Sequence, residues 1–196
     1  MLGQCYRFNG QLPEAIALLV KSEQLLDDPA VDDGFRGSIY LALGIANQAA
    51  KEFDKAVVAL QTGIDKTPQK FALPNSLGLT YKIINNFRES LLSYIRAQEI
   101  IVNEAIQSES IKLEDGSKTL YTDPHQTYLA LKSSPDYCTV LNNIGGVYLK
   151  ACDLESAEKA FKNSIGFIPE GFNYPSPHEA RAFIKAKNIP RTYLLL

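Results

Sequence analysis

The feature that most constrains this chain is a glycine that returns at a regular spacing. Gly78 follows Gly44 by 34 residues, and Gly145 follows Gly78 by 67, close to twice that interval. An aliphatic residue precedes each of these glycines, and the same is true of Gly3. A period of about 20 to 50 residues is typical of repeat arrays, in which each repeat packs on its neighbours.

The residues that follow each glycine also recur. Twelve residues later the chain carries a small residue, namely Ala15, Ala56, Ser90 or Ala157. Sixteen residues later it carries a large one, namely Leu19, Leu60, Tyr94 or Phe161. Pro68 and Pro169 close two of the repeats, 24 residues after the glycine. Small side chains let helix axes approach to about 8 Å, so we interpret the glycines and alanines as helix-packing positions.

This layout resembles the tetratricopeptide repeat (TPR), whose 34-residue repeats each consist of two antiparallel helices, A and B. The last repeat matches best and carries Leu141, Asn143, Ile144, Gly145, Tyr148, Ala157, Phe161 and Pro169 in the family's order. The resemblance implies an all-α fold, a right-handed superhelix (solenoid) of antiparallel helix pairs. It divides the chain into an array at 1–171, with repeats at about 1–29, 37–70, 71–107 and 138–171, an insertion at about 108–137, and a C-terminal capping helix and tail at 172–196.

Hydrophobic periodicity and helix-capping residues predict the individual helices. They are expected at 12–27, 36–50, 53–66, 71–84, from 87 to about 108, at about 124–133, and at 177–187. Asp32 or Asp33 is expected to cap the second of these. Ser176 and Glu179 form a capping box for the terminal helix. We interpret 108–137 as an insertion rather than a fifth repeat, because Pro124 falls where the small residue should lie.

Composition excludes several classes of function. The net charge of −2 and the pI of about 5.7 give no basic footprint for nucleic acid. No apolar run approaches the roughly 18 residues of a membrane span, and the start of the chain lacks the layout of a signal peptide. Cys5, Cys138 and Cys152 form no CxxC pair, which is typical of reduced thiols in a cytoplasmic protein.

The chain carries no motif for catalysis or for a cofactor. His125 and His178 lie in unrelated segments without ligands at metal-binding spacing, so no metal is expected. A phosphate-binding loop, a nucleophile elbow and a dinucleotide fingerprint are all missing from the sequence. The sequence therefore predicts a protein that is not an enzyme and that needs no cofactor.

The resemblance implies that the A helices line a concave groove that holds an extended or helical peptide. Transferred by offset from each glycine, the groove residues are Arg7, Leu41, Ile45, Gln48, Asn75, Leu79, Lys82, Ile83, Asn142, Asn143, Gly146 and Lys150. The aliphatic members would supply burial, and the amides would pair with a ligand backbone. In the alternative interpretation, Leu41, Ile45 and Ile83 pack on neighbouring helices, and Gly146 is merely tolerated.

We therefore expect a noncatalytic interaction module, scaffold or adaptor that binds a protein or peptide partner. The first alternative is an architectural segment of a larger assembly, with the groove filled by the chain itself. A chaperone cofactor is less favoured, because Ala42, Ala72 and Ser76 stand where that subgroup carries its carboxylate clamp. A repeat domain of a larger enzyme is the last alternative. The first repeat starts late, so we expect either a truncated repeat or, in preference, a fragment of a longer array. An incomplete first repeat would expose apolar surface through which two copies could associate.

Overall fold

The computed structural model describes residues 12–26, 31–108, 124–132 and 134–167. Within these ranges all regular structure is α-helical. The helices are α1 (Leu12–Glu23), α2 (Asp33–Ala49), α3 (Phe53–Lys66), α4 (Ala72–Ile83), α5 (Phe87–Ser108), α6 (Pro124–Lys132), α7 (Pro135–Lys150) and α8 (Leu154–Gly166). The all-α prediction is thus confirmed for the described residues.

The predicted helices agree closely with these bounds, including the overlong helix that begins at Phe87. α2 starts earlier than expected, because the Asp32 side chain accepts a hydrogen bond from the backbone N–H of Phe35 and caps the helix there. α1 ends earlier than expected, at Glu23, and a turn follows it. The predicted helix at 177–187 and residues 1–11 lie outside the described residues, so those predictions stay predictions.

The chain divides into two compact units, Met1–Ala97 and Gln98–Leu196, and the boundary falls inside α5. In the first unit α1 packs on α2, α2 on α3 and α4, and α3 on α4. Its core is aliphatic and includes Leu19, Leu43, Leu60, Leu73 and Leu77. In the second unit α7 packs on α8, and α6 contacts α7. Each unit therefore contains helices that are consecutive in sequence and pack on one another.

The repeated glycines lie where an A helix meets its B helix. A methyl group added at Gly145 would lie 2.5 Å from Cε1 of Phe161, and one at Gly78 would lie 2.9 Å from Cδ1 of Tyr94. One added at Gly44 would collide with Leu60. In all three repeats the obstructing side chain belongs to the residue sixteen positions later. These three glycines therefore lie at close approaches between helices, and the large residue is the neighbour that a methyl group would meet.

The small residues at the next repeat position are fully enclosed. Ala56 is 0% exposed and Ala157 is 2% exposed. Ser90, which replaces alanine in the third repeat, is also 0% exposed, and its hydroxyl donates a 2.7 Å hydrogen bond to the carbonyl of Gly78. A buried hydroxyl without a partner would cost about 1–3 kcal/mol, so this hydrogen bond explains why serine is accepted.

The turn between the A and B helices has the same geometry in three repeats. Lys51, Asn85 and Cys152, each seven residues after the glycine, adopt left-handed φ values of 62°, 61° and 61°. The backbone N–H of the next residue then donates a 2.9 Å hydrogen bond to the carbonyl five residues earlier. These hydrogen bonds run from Glu52 to Asn47, from Asn86 to Tyr81 and from Asp153 to Tyr148. This is the pattern of a Schellman motif, which satisfies carbonyls left open at a helix end.

A third recurring position links neighbouring segments. Arg36 stands eight residues before Gly44. Its Nε and Nη2 atoms donate hydrogen bonds of 3.2 and 3.0 Å to the carbonyl of Leu26. Lys70 stands eight residues before Gly78. Its Nζ atom donates hydrogen bonds of 3.0 Å to the Gly34 carbonyl and 2.7 Å to the Ser38 hydroxyl. Both side chains reach back to the preceding turn or helix, so this position joins consecutive hairpins in the first unit.

We expect Gly145→Ala to lower the free energy of unfolding of the second unit by about 1–3 kcal/mol, although alanine favours helix formation. The reason is the contact between the new methyl group and the ring of Phe161. Gly166→Ala, on α8, is the matched control, because a methyl group there meets nothing within 4 Å. Urea denaturation of both variants measures the difference. Equal stability of the two variants would contradict the packing role of Gly145.

We expect Lys51→Gly to raise the free energy of unfolding by about 0.5–1 kcal/mol, because glycine adopts a positive φ without steric cost. The matched control is Lys159→Gly in the body of α8, where the same change should cost about 1 kcal/mol of helix propensity. Thermal and chemical denaturation of both variants test this. A loss of stability in Lys51→Gly would show that the side chain matters more than the backbone strain.

Candidate functional site

The A helices of the first unit carry two pairs of apolar side chains that are not fully buried. Leu41 and Ile45 are half-buried on α2, and Leu79 is half-buried on α4. Ile83, one turn after Leu79, is 41% exposed. Residues four apart lie on one face of a helix, and α2 packs directly on α4. We call these four residues the first-unit face.

Polar contacts hold the two helices of this face in register. The amide nitrogen of Gln48 donates to the Ser76 carbonyl at 2.9 Å and to the Thr80 hydroxyl at 2.5 Å. The Thr80 hydroxyl in turn donates a 3.0 Å hydrogen bond to the Ser76 carbonyl. Gln48 belongs to α2 and its two partners to α4, so the C-terminal half of α2 is fixed to the middle of α4. Gln48 therefore has a structural contact in addition to its predicted place in the groove.

Two other predicted groove residues of the first unit also interact within the protein. Asn75 is half-buried on α4 and has a partner within the chain. The Nζ atom of Lys82 lies 5.8 Å from the centre of the Tyr94 ring, a distance that suits a cation–π contact. The polar members of the predicted groove in the first unit therefore make contacts within the protein. Among its aliphatic members, Leu41 packs against the core of this unit.

The predicted groove residues of the last repeat separate into two groups. Asn142 and Asn143 are 4% and 8% exposed, so the structure places their amides inside the protein. Gly146 is half-buried and Lys150 is exposed, both on α7. Of these four residues, Gly146 and Lys150 are the two that a ligand could reach. An offset from a glycine locates a helix face but cannot show how deeply neighbouring helices bury it.

The remaining predicted residues add little to the site. Arg7, Gly3 and Pro169 lie outside the described residues. Pro68 is exposed just after α3, where it follows the helix end as the resemblance implies. Ala42 is 7% exposed, and Ala72 and Ser76 are half-buried. The positions of the carboxylate clamp are therefore occupied by side chains that cannot bind a carboxylate through a positive charge.

An aromatic cluster that sequence reasoning missed attaches α6 to the last hairpin. The rings of Tyr128 on α6 and Phe167 after α8 lie 5.5 Å apart, and those of Tyr137 on α7 and Phe167 lie 4.8 Å apart. The Tyr137 hydroxyl also accepts a 3.2 Å hydrogen bond from Nε2 of Gln98. Tyr137 stands eight residues before Gly145, the position that Arg36 and Lys70 occupy in other repeats. This shared offset from the repeated glycine is the sequence signal that could have identified Tyr137.

Few titratable groups in the described ranges have a perturbed pKa. Burial, and secondarily the negative charge of Asp136, raises the pKa of Glu104. A hydrogen bond from Ser156 lowers the pKa of Asp153, which caps α8. Burial raises the pKa of Tyr94 well above its ordinary value. Each of these shifts has a local cause in burial, a neighbouring charge or a hydrogen bond.

Among the described residues no group of three histidine, cysteine or acidic side chains is placed to hold a metal ion. Helices long and apolar enough to cross a membrane are likewise not found in the part of the chain that the structure describes.

Neither a protein-family model nor a curated protein sequence matches the chain. Solved structures do match, among them BtubC (BKLC) from P. vanneervenii, with 15% identity, a TM-score of 0.45, and coverage of 85% of this chain and 76% of that one. The TPR-like repeats of a putative kinesin light chain from Podosopora anserina match with 13% identity, a TM-score of 0.44, and coverage of 85% and 91%. MamA matches with 16% identity, a TM-score of 0.43, and coverage of 85% and 94%.

The fold is TPR-like. The support for this fold comes from the chain itself. The glycine contacts, the enclosed small residues and the left-handed turns recur at matching offsets in three repeats.

We expect Tyr94→Phe to leave stability near pH 8 unchanged or to raise it by up to about 1 kcal/mol, because the buried Tyr94 hydroxyl has no hydrogen-bond partner among the described residues. Its folded-state pKa is raised, so wild-type stability should fall once the pH passes about 10, where the unfolded chain ionises. The variant should lack that alkaline loss.

Urea denaturation at about pH 8 and about pH 11 measures both effects. Tyr148→Phe, at a half-buried tyrosine of α7, is the control. A loss of more than about 1 kcal/mol in Tyr94→Phe near pH 8 would reveal a partner for the hydroxyl.

Proposed function

We propose that the protein is a noncatalytic interaction module that binds a segment of a partner protein on the first-unit face. The observation that supports this proposal is the incomplete burial of Leu41 and Ile45 on α2 and of Leu79 and Ile83 on α4. These two pairs lie on adjoining helices that Gln48 fixes in register. Apolar pairs held at a fixed spacing offer a rigid surface, so little free energy is lost in ordering the binding residues.

The chemistry of this face favours a segment with aliphatic side chains at matching intervals. Burial of apolar area would drive binding, at about 25 cal/mol per Å² before ordering costs. Gln48 uses its amide nitrogen for α4, and its side chain also carries an amide oxygen. That oxygen can accept a hydrogen bond from a backbone N–H of the ligand. Recognition would therefore combine aliphatic contacts with one backbone contact.

A cytoplasmic location accompanies this proposal. Cys138 and Cys152 are free thiols, and Cys152 is exposed. Exposed free thiols persist in reducing compartments, where disulfides are rare. Cys138 has a structural contact, because the Ser164 hydroxyl donates a 3.0 Å hydrogen bond to its backbone carbonyl.

The experiment first selects a binding peptide for the wild-type chain from a random peptide display library. Its affinity is then measured by calorimetry for a triple variant, Ile45→Ser, Leu79→Ser and Ile83→Ser. We expect binding to weaken by at least about 30-fold, a loss of about 2 kcal/mol, with the helical circular dichroism unchanged.

The matched control replaces Val58 and Leu154, which are 66% and 67% exposed on the B helices, by serine. This control should bind the peptide as the wild type does. An unchanged affinity in the triple variant would refute the assignment of the first-unit face.

The architectural role is the second candidate, and exposed aliphatic residues on the B helices favour it. Val58 on α3, Leu92 on α5 and Leu154 on α8 are 66%, 51% and 67% exposed. In an assembly these residues would contact other subunits. Loss of partner binding in the B-helix control, with normal binding in the triple variant, would identify this role. Self-association through the first repeat stays a prediction, and so does filling of the groove by the insertion 109–135 or by the C-terminal helix. Residues 1–11, 109–123 and 168–196 lie outside the described ranges.

A further inference from the structure

We draw no further inference here: the strongest candidate, the exposed surface patch of Arg88, Leu92, Ile95 and Arg96 along one face of α5, combines two cations with two aliphatic side chains, but nothing in the structure shows what covers it.

Discussion

The packing of a large side chain against a glycine is the contact on which each hairpin depends. Leu60, Tyr94 and Phe161 occupy the space that a methyl group would fill at Gly44, Gly78 and Gly145. Close approach at this point brings the two helices together and encloses the small residues Ala56, Ser90 and Ala157. A helix-interior glycine costs about 1 kcal/mol of propensity, and close packing across the hairpin offsets that loss.

The turns between helices show how tertiary packing can impose a backbone conformation on unsuitable residues. The left-handed position holds Lys51, Asn85 and Cys152, and only asparagine among them adopts such a φ readily. Glycine is the usual residue there. The conformation is nevertheless the same in all three repeats, because the glycine contact and the enclosed small residue fix where the second helix must begin. Local sequence preference is therefore overruled by the hairpin as a whole.

The candidate site follows from the same arrangement. Once each hairpin is fixed, the A helices α2 and α4 adjoin, and Gln48 and Lys70 supply hydrogen bonds between consecutive segments. On these helices Leu41, Ile45 and Leu79 are half-buried, and Ile83 is 41% exposed. In our proposal the site is a surface for contact with a partner. Affinity and specificity would then depend on shape and on the few polar atoms that remain available.

The sequence by itself determined the helices, the repeat and the packing glycines, because periodicity and residue size act locally or between consecutive helices. It placed Leu41, Ile45, Leu79 and Ile83 on A helices for the same reason. Only the tertiary structure decided that Asn142 and Asn143 are buried, that Gln48 bonds to α4, and that Tyr128, Tyr137 and Phe167 meet. Burial and long-range hydrogen bonds depend on which neighbouring helix covers a residue, and a one-dimensional offset does not contain that information.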